Sequence, residues 1–129
     1  MAIRGVNHAV LYVRDADITA EFFGRVLGFR RLDDIGEMPR IPGAAFLRAE
    51  RSTNDHDLGL FSVGAKALST TAGISSVGMY HLSWEVETLG DLSRYADALA
   101  REGNLTGASN HGTTRAIYAR DPDGLEFEL

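Results

Sequence analysis

The sequence predicts an α+β fold built from two copies of a βαβββ module, and three observations support this prediction. Each half of the chain opens with an apolar strand that carries a single histidine, His8 in one half and His81 in the other. An amphipathic helix follows each of these strands, and three further strand patterns follow each helix. An approximate repeat of this kind predicts one domain over residues 1–129, in which two modules pair their sheets into a curved, partly open cleft.

The first module is expected over residues 5–62. Residues 6–13 are apolar on both faces except near His8, a pattern typical of a strand that a helix covers on one side. The following helix is predicted to have Asp17 as its N-cap and Gly28 just past its end. Its apolar stripe contains Ile18, Phe22, Val26 and Leu27. The three later strands are predicted over residues 28–34, 44–50 and 56–63.

A connector rich in Gly, Ser and Thr is expected over residues 63–77, since this stretch has no sustained hydrophobic period. The second module then covers residues 78–129. Its helix is predicted to open at Thr88, with Asp91 three residues later, and to close at Gly103. The four strands of this module are predicted over residues 79–86, 103–109, 115–121 and 125–129.

Composition limits the possible functions. The chain contains no cysteine, so disulfides and thiolate metal sites are excluded and any metal must be bound by nitrogen and oxygen atoms. A formal net charge of -5 without a basic stripe argues against binding to nucleic acid or to an anionic membrane surface. A small molecule is the expected ligand. No secretory signal or membrane-spanning run is apparent, so a cytoplasmic location is expected.

Three residues are candidate metal ligands because of where strand alternation places them. His8 shares a strand face with Tyr12, and Glu126 and Glu128 share a face of the last strand. If the modules pair, His8, His81 and one of these carboxylates can converge, and two imidazoles with one carboxylate suit Fe(II) or another first-row metal. The residues alone leave a second interpretation open, in which the histidines are ordinary core or surface residues and the two glutamates form a solvated face.

The segment HGTTRAIYARDPDGLEFEL, residues 111–129, resembles the vicinal oxygen chelate superfamily, and its DPDG turn before a strand ending in Glu-Leu is the most recognisable part. VNHAV and YHLSW resemble the other two ligand strands of that superfamily. The superfamily contains glyoxalase I, extradiol ring-cleavage dioxygenases, fosfomycin and bleomycin resistance proteins and methylmalonyl-CoA epimerase. The resemblance covers essentially the whole chain and implies that His8, His81 and Glu128, rather than Glu126, bind one divalent metal.

Within the superfamily, three segments most resemble the extradiol, or catechol 2,3-dioxygenase-like, branch. TNDHDLGLF resembles the segment that carries an acid/base histidine, which implies this role for His56. AIYARDPDG resembles the segment whose tyrosine hydrogen-bonds substrate oxygen, which implies this role for Tyr118. The preceding HG matches His111 and Gly112, so that His111 becomes the third candidate catalytic residue. The alternative for each is structural: His56 as an exposed turn residue and Tyr118 as a half-buried strand aromatic.

The implied activity is Fe(II)-dependent ring cleavage of a catecholic or related small molecule, with Mn(II), Ni(II) or Zn(II) as other possible metals. A glyoxalase-like lyase or isomerase is disfavoured, because Gly59 stands where glyoxalase I supplies a fourth ligand. Fosfomycin-modifying relatives are disfavoured because Val10 replaces a threonine. The alternative to an enzyme is a non-catalytic resistance protein that binds an aromatic antibiotic. Single paired domains of this superfamily commonly associate about a twofold axis, so a homodimer is expected.

Overall fold

The computed structural model describes residues 1–129 and contains every helix and strand that the sequence pattern predicts. The chain divides into two compact units, Met1–Ala67 and Leu68–Leu129. The first unit contains β1 (Ala9–Val13), α1 (Ala16–Leu27), β2 (Arg30–Arg31), β3 (Ala44–Arg48) and β4 (Leu58–Ser62). The second contains β5 (His81–Ser83), α2 (Leu89–Glu102), β6 (Leu105–Asn110), β7 (Arg115–Arg120) and β8 (Glu126–Glu128). The predicted α+β class with two βαβββ modules is therefore confirmed.

The two sheets have the same topology. The strand order is β1-β4-β3-β2 in the first unit and β5-β8-β7-β6 in the second. In each sheet the first strand pairs in parallel with the last, and the remaining pairs are antiparallel. Because parallel strands begin at the same edge of a sheet, the residues that precede β1 and β4 lie close together, as do those that precede β5 and β8.

Helix α1 begins two residues earlier than the sequence analysis placed it. The N-cap is Asp15, whose carboxylate accepts hydrogen bonds from the backbone N–H groups of Asp17 and Ile18. Asp17 was predicted as the N-cap, and this prediction was wrong: it lies in the first helical turn and pairs with Arg31 at 2.6 Å. Asp15 and Asp17 are both acidic, and either suits the N-terminus of a helix. Asp15 is the cap because it has the extended backbone of a cap residue, whereas Asp17 is already helical.

The buried face of α1 is aromatic and packs on β3 and β4. Phe23 makes edge-to-face contacts with Phe22 and Phe29 at centroid distances of 5.6 and 5.5 Å. Each fully buried side chain of this size contributes about 1.5–3 kcal/mol to stability. Ile18, which was assigned to the apolar stripe, is instead 58% exposed, because the true face is rotated toward Thr19 and Phe23.

Helix α2 has the predicted ends. The hydroxyl of Thr88 accepts the backbone N–H of Asp91, and Gly103 closes the helix with a positive φ of 77°. Its inner face buries Leu92 and Leu99. Between β4 and β5 the connector forms no helix or strand apart from a single bridge between Ala72 and Ser76. No helix in the molecule is both long and apolar enough to cross a membrane.

Candidate active site

His8 immediately precedes β1, at the edge of the first sheet where β4 also begins. The pairing of Ala9 with Leu58 in the parallel ladder sets this position. Its side chain is exposed, and its Nδ1 atom lies 2.7 Å from the side-chain oxygen of Asn7. An Nδ1–H group held by an acceptor leaves the Nε2 lone pair as the available donor to a metal.

His56 lies beside His8, as the parallel register requires for residues just before β1 and β4. The two ring centroids are 4.4 Å apart and the ring planes are tilted by 46°. The His56 side chain is 16% exposed, and its Nδ1 atom lies 3.0 Å from a carboxylate oxygen of Asp55. Phe46 also packs edge-to-face with the ring, with centroids 5.2 Å apart. His56 is therefore oriented within the first unit by three contacts.

His81 and Glu128 meet in the second unit. His81 is the first residue of β5 and Glu128 the last of β8, and these two strands run in parallel. The Nε2 atom of His81 lies 2.9 Å from the Oε2 atom of Glu128, and both side chains are about three-quarters buried. The Nδ1 atom of His81 is buried without a hydrogen-bond partner. A neutral His81 therefore carries its proton on Nε2, where the Glu128 carboxylate accepts it.

Glu126 was the other candidate carboxylate on this strand. It pairs with His81 in the backbone register. The carboxylate within hydrogen-bonding distance of the His81 ring, however, is that of Glu128. The resemblance had singled out Glu128 over Glu126, which alternation alone does not do.

Tyr118 lies on β7 directly opposite Glu128 on β8. Its ring is 6.2 Å from the His81 ring, centroid to centroid, and its hydroxyl lies 3.2 Å from the hydroxyl of Ser109. The second unit thus brings His81, Glu128 and Tyr118 together on one sheet face. Gly107 faces Tyr118 across the β6–β7 pair, and a Cβ there would meet the tyrosine ring at 3.8 Å.

His111 lies apart from these groups. It occupies the exposed turn between β6 and β7, where its backbone N–H donates to the carbonyl of Thr114. No hydrogen bond or ring contact joins its side chain to His81, Glu128 or Tyr118. Within each unit, no group of three or more His, Asp or Glu side chains is close enough to hold a metal ion. The proposed ligands His81 and Glu128 belong to one unit and His8 to the other.

Asp121 is the first residue of the turn that precedes β8, the strand that contains Glu128. One carboxylate oxygen accepts the backbone N–H groups of Asp123 and Leu125, while the other is buried without a partner. Burial raises the pKa of the Asp121 carboxyl to about 6, and the hydrogen bonds from the turn only partly oppose this effect. Gly124 in the same turn has a φ of 84°, which suits glycine.

Several residues around His8 and His56 have roles that the sequence analysis did not assign. Asn7, Asn54 and Asp57 form a hydrogen-bonded group beside the two rings, and Phe46 packs on His56. The only signal in the sequence is the run STNDHD, which indicated a turn but not the partners of its side chains.

The fold repeats one βαβββ module, and a histidine lies at or just before the first strand of each module. Residues 5–129 match the model of the Glyoxalase/Bleomycin resistance protein/Dioxygenase superfamily. The chain belongs to this superfamily, which confirms the resemblance to vicinal oxygen chelate proteins.

Solved structures agree with this assignment. A glyoxylase/bleomycin resistance protein/dioxygenase domain from Frankia sp. EAN1pec is 25% identical, covers 98% of this chain and 96% of its own, and has a TM-score of 0.73. A glyoxalase/dioxygenase from Nostoc punctiforme is also 25% identical, over 97% of this chain and 88% of its own, with a TM-score of 0.74. The fosfomycin resistance protein FosX from Mesorhizobium loti shares the fold at 19% identity, over 99% and 92% of the two chains, with a TM-score of 0.66.

Proposed function

We propose that the protein is a metal-dependent, extradiol-type ring-cleavage dioxygenase that acts on a catecholic or related vicinal-oxygen small molecule. His8, His81 and Glu128 are the proposed ligands of one divalent metal, Fe(II) in the favoured case, and His56, Tyr118 and His111 are the proposed catalytic residues. The observation that carries the proposal is the 2.9 Å approach of His81 Nε2 to Glu128 Oε2 beside Tyr118. Members of the superfamily typically bind a divalent metal.

The chemistry of the donor atoms fits such a metal. Two ligand atoms that are each about 2.1 Å from a metal and at right angles to one another lie roughly 3 Å apart, close to the separation of the His81 and Glu128 atoms. For Nε2 to bind a metal, the proton of His81 would have to be on Nδ1 instead. The hydrogen bond from His8 Nδ1 to Asn7 leaves Nε2 for coordination, as an outer-shell acceptor does for a metal-binding histidine. Imidazole nitrogen with one carboxylate suits Fe(II), Mn(II), Ni(II) and Zn(II).

The surroundings of His56 support its role as acid and base. A tautomer with the proton on Nδ1 donates to Asp55, so that Nε2 can accept the proton of a substrate hydroxyl and later return it. Tyr118 can donate its hydroxyl hydrogen to charge that develops on substrate oxygen. A bound divalent metal would lower the pKa of a substrate hydroxyl and hold the reactants together.

The glycine at position 59 supports this branch over a glyoxalase-like one. Gly59 pairs with Val10 and Phe46, and a Cβ at this glycine would be in van der Waals contact with both of their side chains at 3.4 Å. Because glycine has no side chain, position 59 supplies no fourth protein ligand, and a three-ligand site keeps positions open for reactants.

A second candidate is a non-catalytic protein that binds an aromatic antibiotic. The observation that favours it is the apolar open face of the first sheet, where Val10, Tyr12 and Phe61 are exposed and Phe46 lies edge-to-face on Phe61 at 5.8 Å. Exposed apolar side chains of this kind often line ligand or partner surfaces. Both candidates take a small-molecule ligand, and in both a homodimer is proposed.

The deciding experiment reconstitutes the protein anaerobically with Fe(II), measures bound metal, and follows O₂ uptake across a panel of catechols. His81→Ala and Glu128→Gln should lose metal and O₂ uptake. Glu126→Gln is the matched control, because it removes the same charge from the same strand face and should retain both. His56→Ala should keep the metal and lose about 10²–10⁴-fold in turnover.

The other possible outcomes of this experiment would overturn one part of the proposal or assign a different function. Full metal binding by Glu128→Gln would overturn the ligand set, and full turnover by His56→Ala would overturn the role of His56. Metal bound without O₂ uptake for any catechol would assign another chelate chemistry. No metal, together with tight binding of an aromatic antibiotic, would assign the second candidate.

A further inference from the structure

His8 and His56 belong to two different segments of the chain. Hydrogen bonds join these segments at the residue before His8 and at the residue after it. On the C-terminal side, the backbone N–H of Ala9 donates to the carbonyl of Asp57 at 3.0 Å. On the N-terminal side, the side-chain amide of Asn54 donates to the carbonyl of Asn7 at 3.0 Å. Both neighbours of His8 are therefore bound to the segment that contains His56.

Asn54 reaches two partners with the two hydrogens of one amide group. The second hydrogen bond goes to the carboxylate of Asp57 at 2.8 Å. This carboxylate also accepts the hydroxyl of Ser52 and the backbone N–H of Ala49, each at 2.8 Å. Asp57 is only 7% exposed, so it is a fixed point within the unit. Hydrogen bonds to a carboxylate are roughly twice as strong as those between neutral groups.

Asn54 links the His56 loop to the residue before His8 through a side-chain hydrogen bond. Asp57 holds the loop in shape, because its three side-chain contacts all lie within residues 49–54. The β1–β4 ladder and the hydrogen bond from Ala9 to Asp57 fix the C-terminal side of His8. The hydrogen bond from Asn54 to Asn7 fixes its N-terminal side, and Asn7 also holds the His8 ring through its side-chain oxygen, 2.7 Å from Nδ1.

We infer that Asn54 is a positioning residue: its hydrogen bonds to Asn7 and Asp57 help to fix the relative positions of the His8 and His56 rings. This inference deepens the proposed function and rests on it for its catalytic meaning, since a metal ligand and an acid/base group must be held in one fixed relation. The 4.4 Å separation of the two rings can be tested in protein prepared without metal or substrate.

The test compares Asn54→Ala and Asn54→Leu with wild-type protein. Leucine has nearly the shape of asparagine but cannot donate to Asn7, so it separates hydrogen bonding from packing, and it adds no negative charge beside the Asp57 carboxylate. Asn104→Ala is the matched control, because Asn104 also donates its side-chain amide to a backbone carbonyl, that of Arg120, but in the second unit. Asn54→Ser, whose side chain is too short to reach Asn7, replaces the alanine variant if that one does not fold.

The first readout is the nuclear Overhauser effect between the ring protons of His8 and His56 in metal-free protein. We expect it in wild type and in Asn104→Ala, and we expect it to be lost in both Asn54 variants while the rest of the spectrum stays native. A purely structural role would lower the melting temperature and leave this ring contact unchanged. An unchanged ring contact in either Asn54 variant would therefore overturn the inference.

The second readout is the affinity for Mn(II) alone, followed by the electron paramagnetic resonance signal of the free ion. Loss of an outer-shell contact typically weakens metal binding by about 10–100-fold, and we expect this for Asn54→Ala and no change for Asn104→Ala. If Glu128→Gln retains Mn(II), the proposed ligand set fails, but the ring contact in metal-free protein still tests Asn54. If wild type binds Mn(II) and Asn54→Ala binds it equally well, the positioning role is overturned.

Discussion

At the scale of single residues, His8 and His56 each have one ring nitrogen held by a neighbouring side chain. The Nδ1 atoms of His8 and His56 are held by Asn7 and Asp55, so that each ring presents Nε2. This arrangement fixes tautomer and orientation together, which a metal ligand and an acid/base group both require. His81 differs, since its Nε2 faces Glu128 and its Nδ1 has no partner.

Asp121 gives a prediction about pH and stability. Burial raises its pKa in the folded protein to about 6 from an ordinary value of 3.8, so the folded state holds a proton that the unfolded state has released between these pH values. The free energy of unfolding should therefore fall as the pH rises through this range. The loss is at most roughly 3 kcal/mol, since one unit of pKa difference corresponds to about 1.4 kcal/mol.

The measurement is urea unfolding between pH 4 and 7 at constant ionic strength. Asp121→Asn keeps the acceptor oxygen for the turn but cannot ionise, so its unfolding free energy should decline less than that of wild type across the range. Asp97→Asn, on the exposed face of α2, is the control and should follow the wild type. Parallel curves for Asp121→Asn and wild type would contradict the prediction.

The sequence identified His8 and His81 as candidate ligands, which stays a prediction, but it did not identify the residues that contact His8 and His56. His8 and His81 stand out because each is a polar residue in an apolar strand. Asn54 does not stand out, because an asparagine in a Ser/Thr/Asn/Asp run is typical of a turn whatever its amide contacts. Its two partners depend on how the loop folds around Asp57, and the sequence pattern contains no information about that.

At the scale of elements, hydrophobic periodicity and turn residues predicted both helices and all eight strands. The differences lie at the ends of elements. β1 begins at Ala9, so that His8 lies just outside it, and β2 covers only Arg30–Arg31. Helix α1 begins earlier than predicted, at a point where Asp15 and Asp17 are chemically equivalent as caps. The backbone decides between them, since the chain must leave β1 at Val13 and enter the helix within three residues. The parallel pairing of β1 with β4, which brings His56 to His8, was outside what periodicity can predict.

The position of this cap can be tested directly. Asp15→Ala should lower the free energy of unfolding by about 1 kcal/mol, because it removes the acceptor of two backbone N–H groups at the start of α1. Asp17→Ala should cost less, because its ion pair with Arg31 involves a carboxylate that is 72% exposed, and such pairs contribute about 0–1 kcal/mol. Chemical denaturation of both variants gives the comparison, and a larger loss for Asp17→Ala would restore it as the cap.

At the scale of the whole molecule, the open apolar face of the first unit favours the formation of a dimer. Val10 and Tyr12 are 51% and 78% exposed in the single chain. Exposed apolar side chains on a sheet face favour association, and closed twofold symmetry is the commonest form of it. We therefore expect sedimentation equilibrium to give twice the mass of one chain, and a mass equal to one chain would contradict the homodimer.

Mixing two inactive variants then assigns the site to one chain or to two. His8→Ala and Glu128→Gln each lack one proposed ligand, and co-expression yields dimers that contain one copy of each. If each site lies within one chain, every site in the mixed dimer lacks a ligand and no metal binding returns. If the modules are exchanged, one of the two sites combines His8 of one chain with His81 and Glu128 of the other, and binding returns at half of the wild-type stoichiometry in the mixed dimer. Mn(II) titration of the purified mixed dimer distinguishes the two arrangements, because they predict zero and one metal ion per dimer.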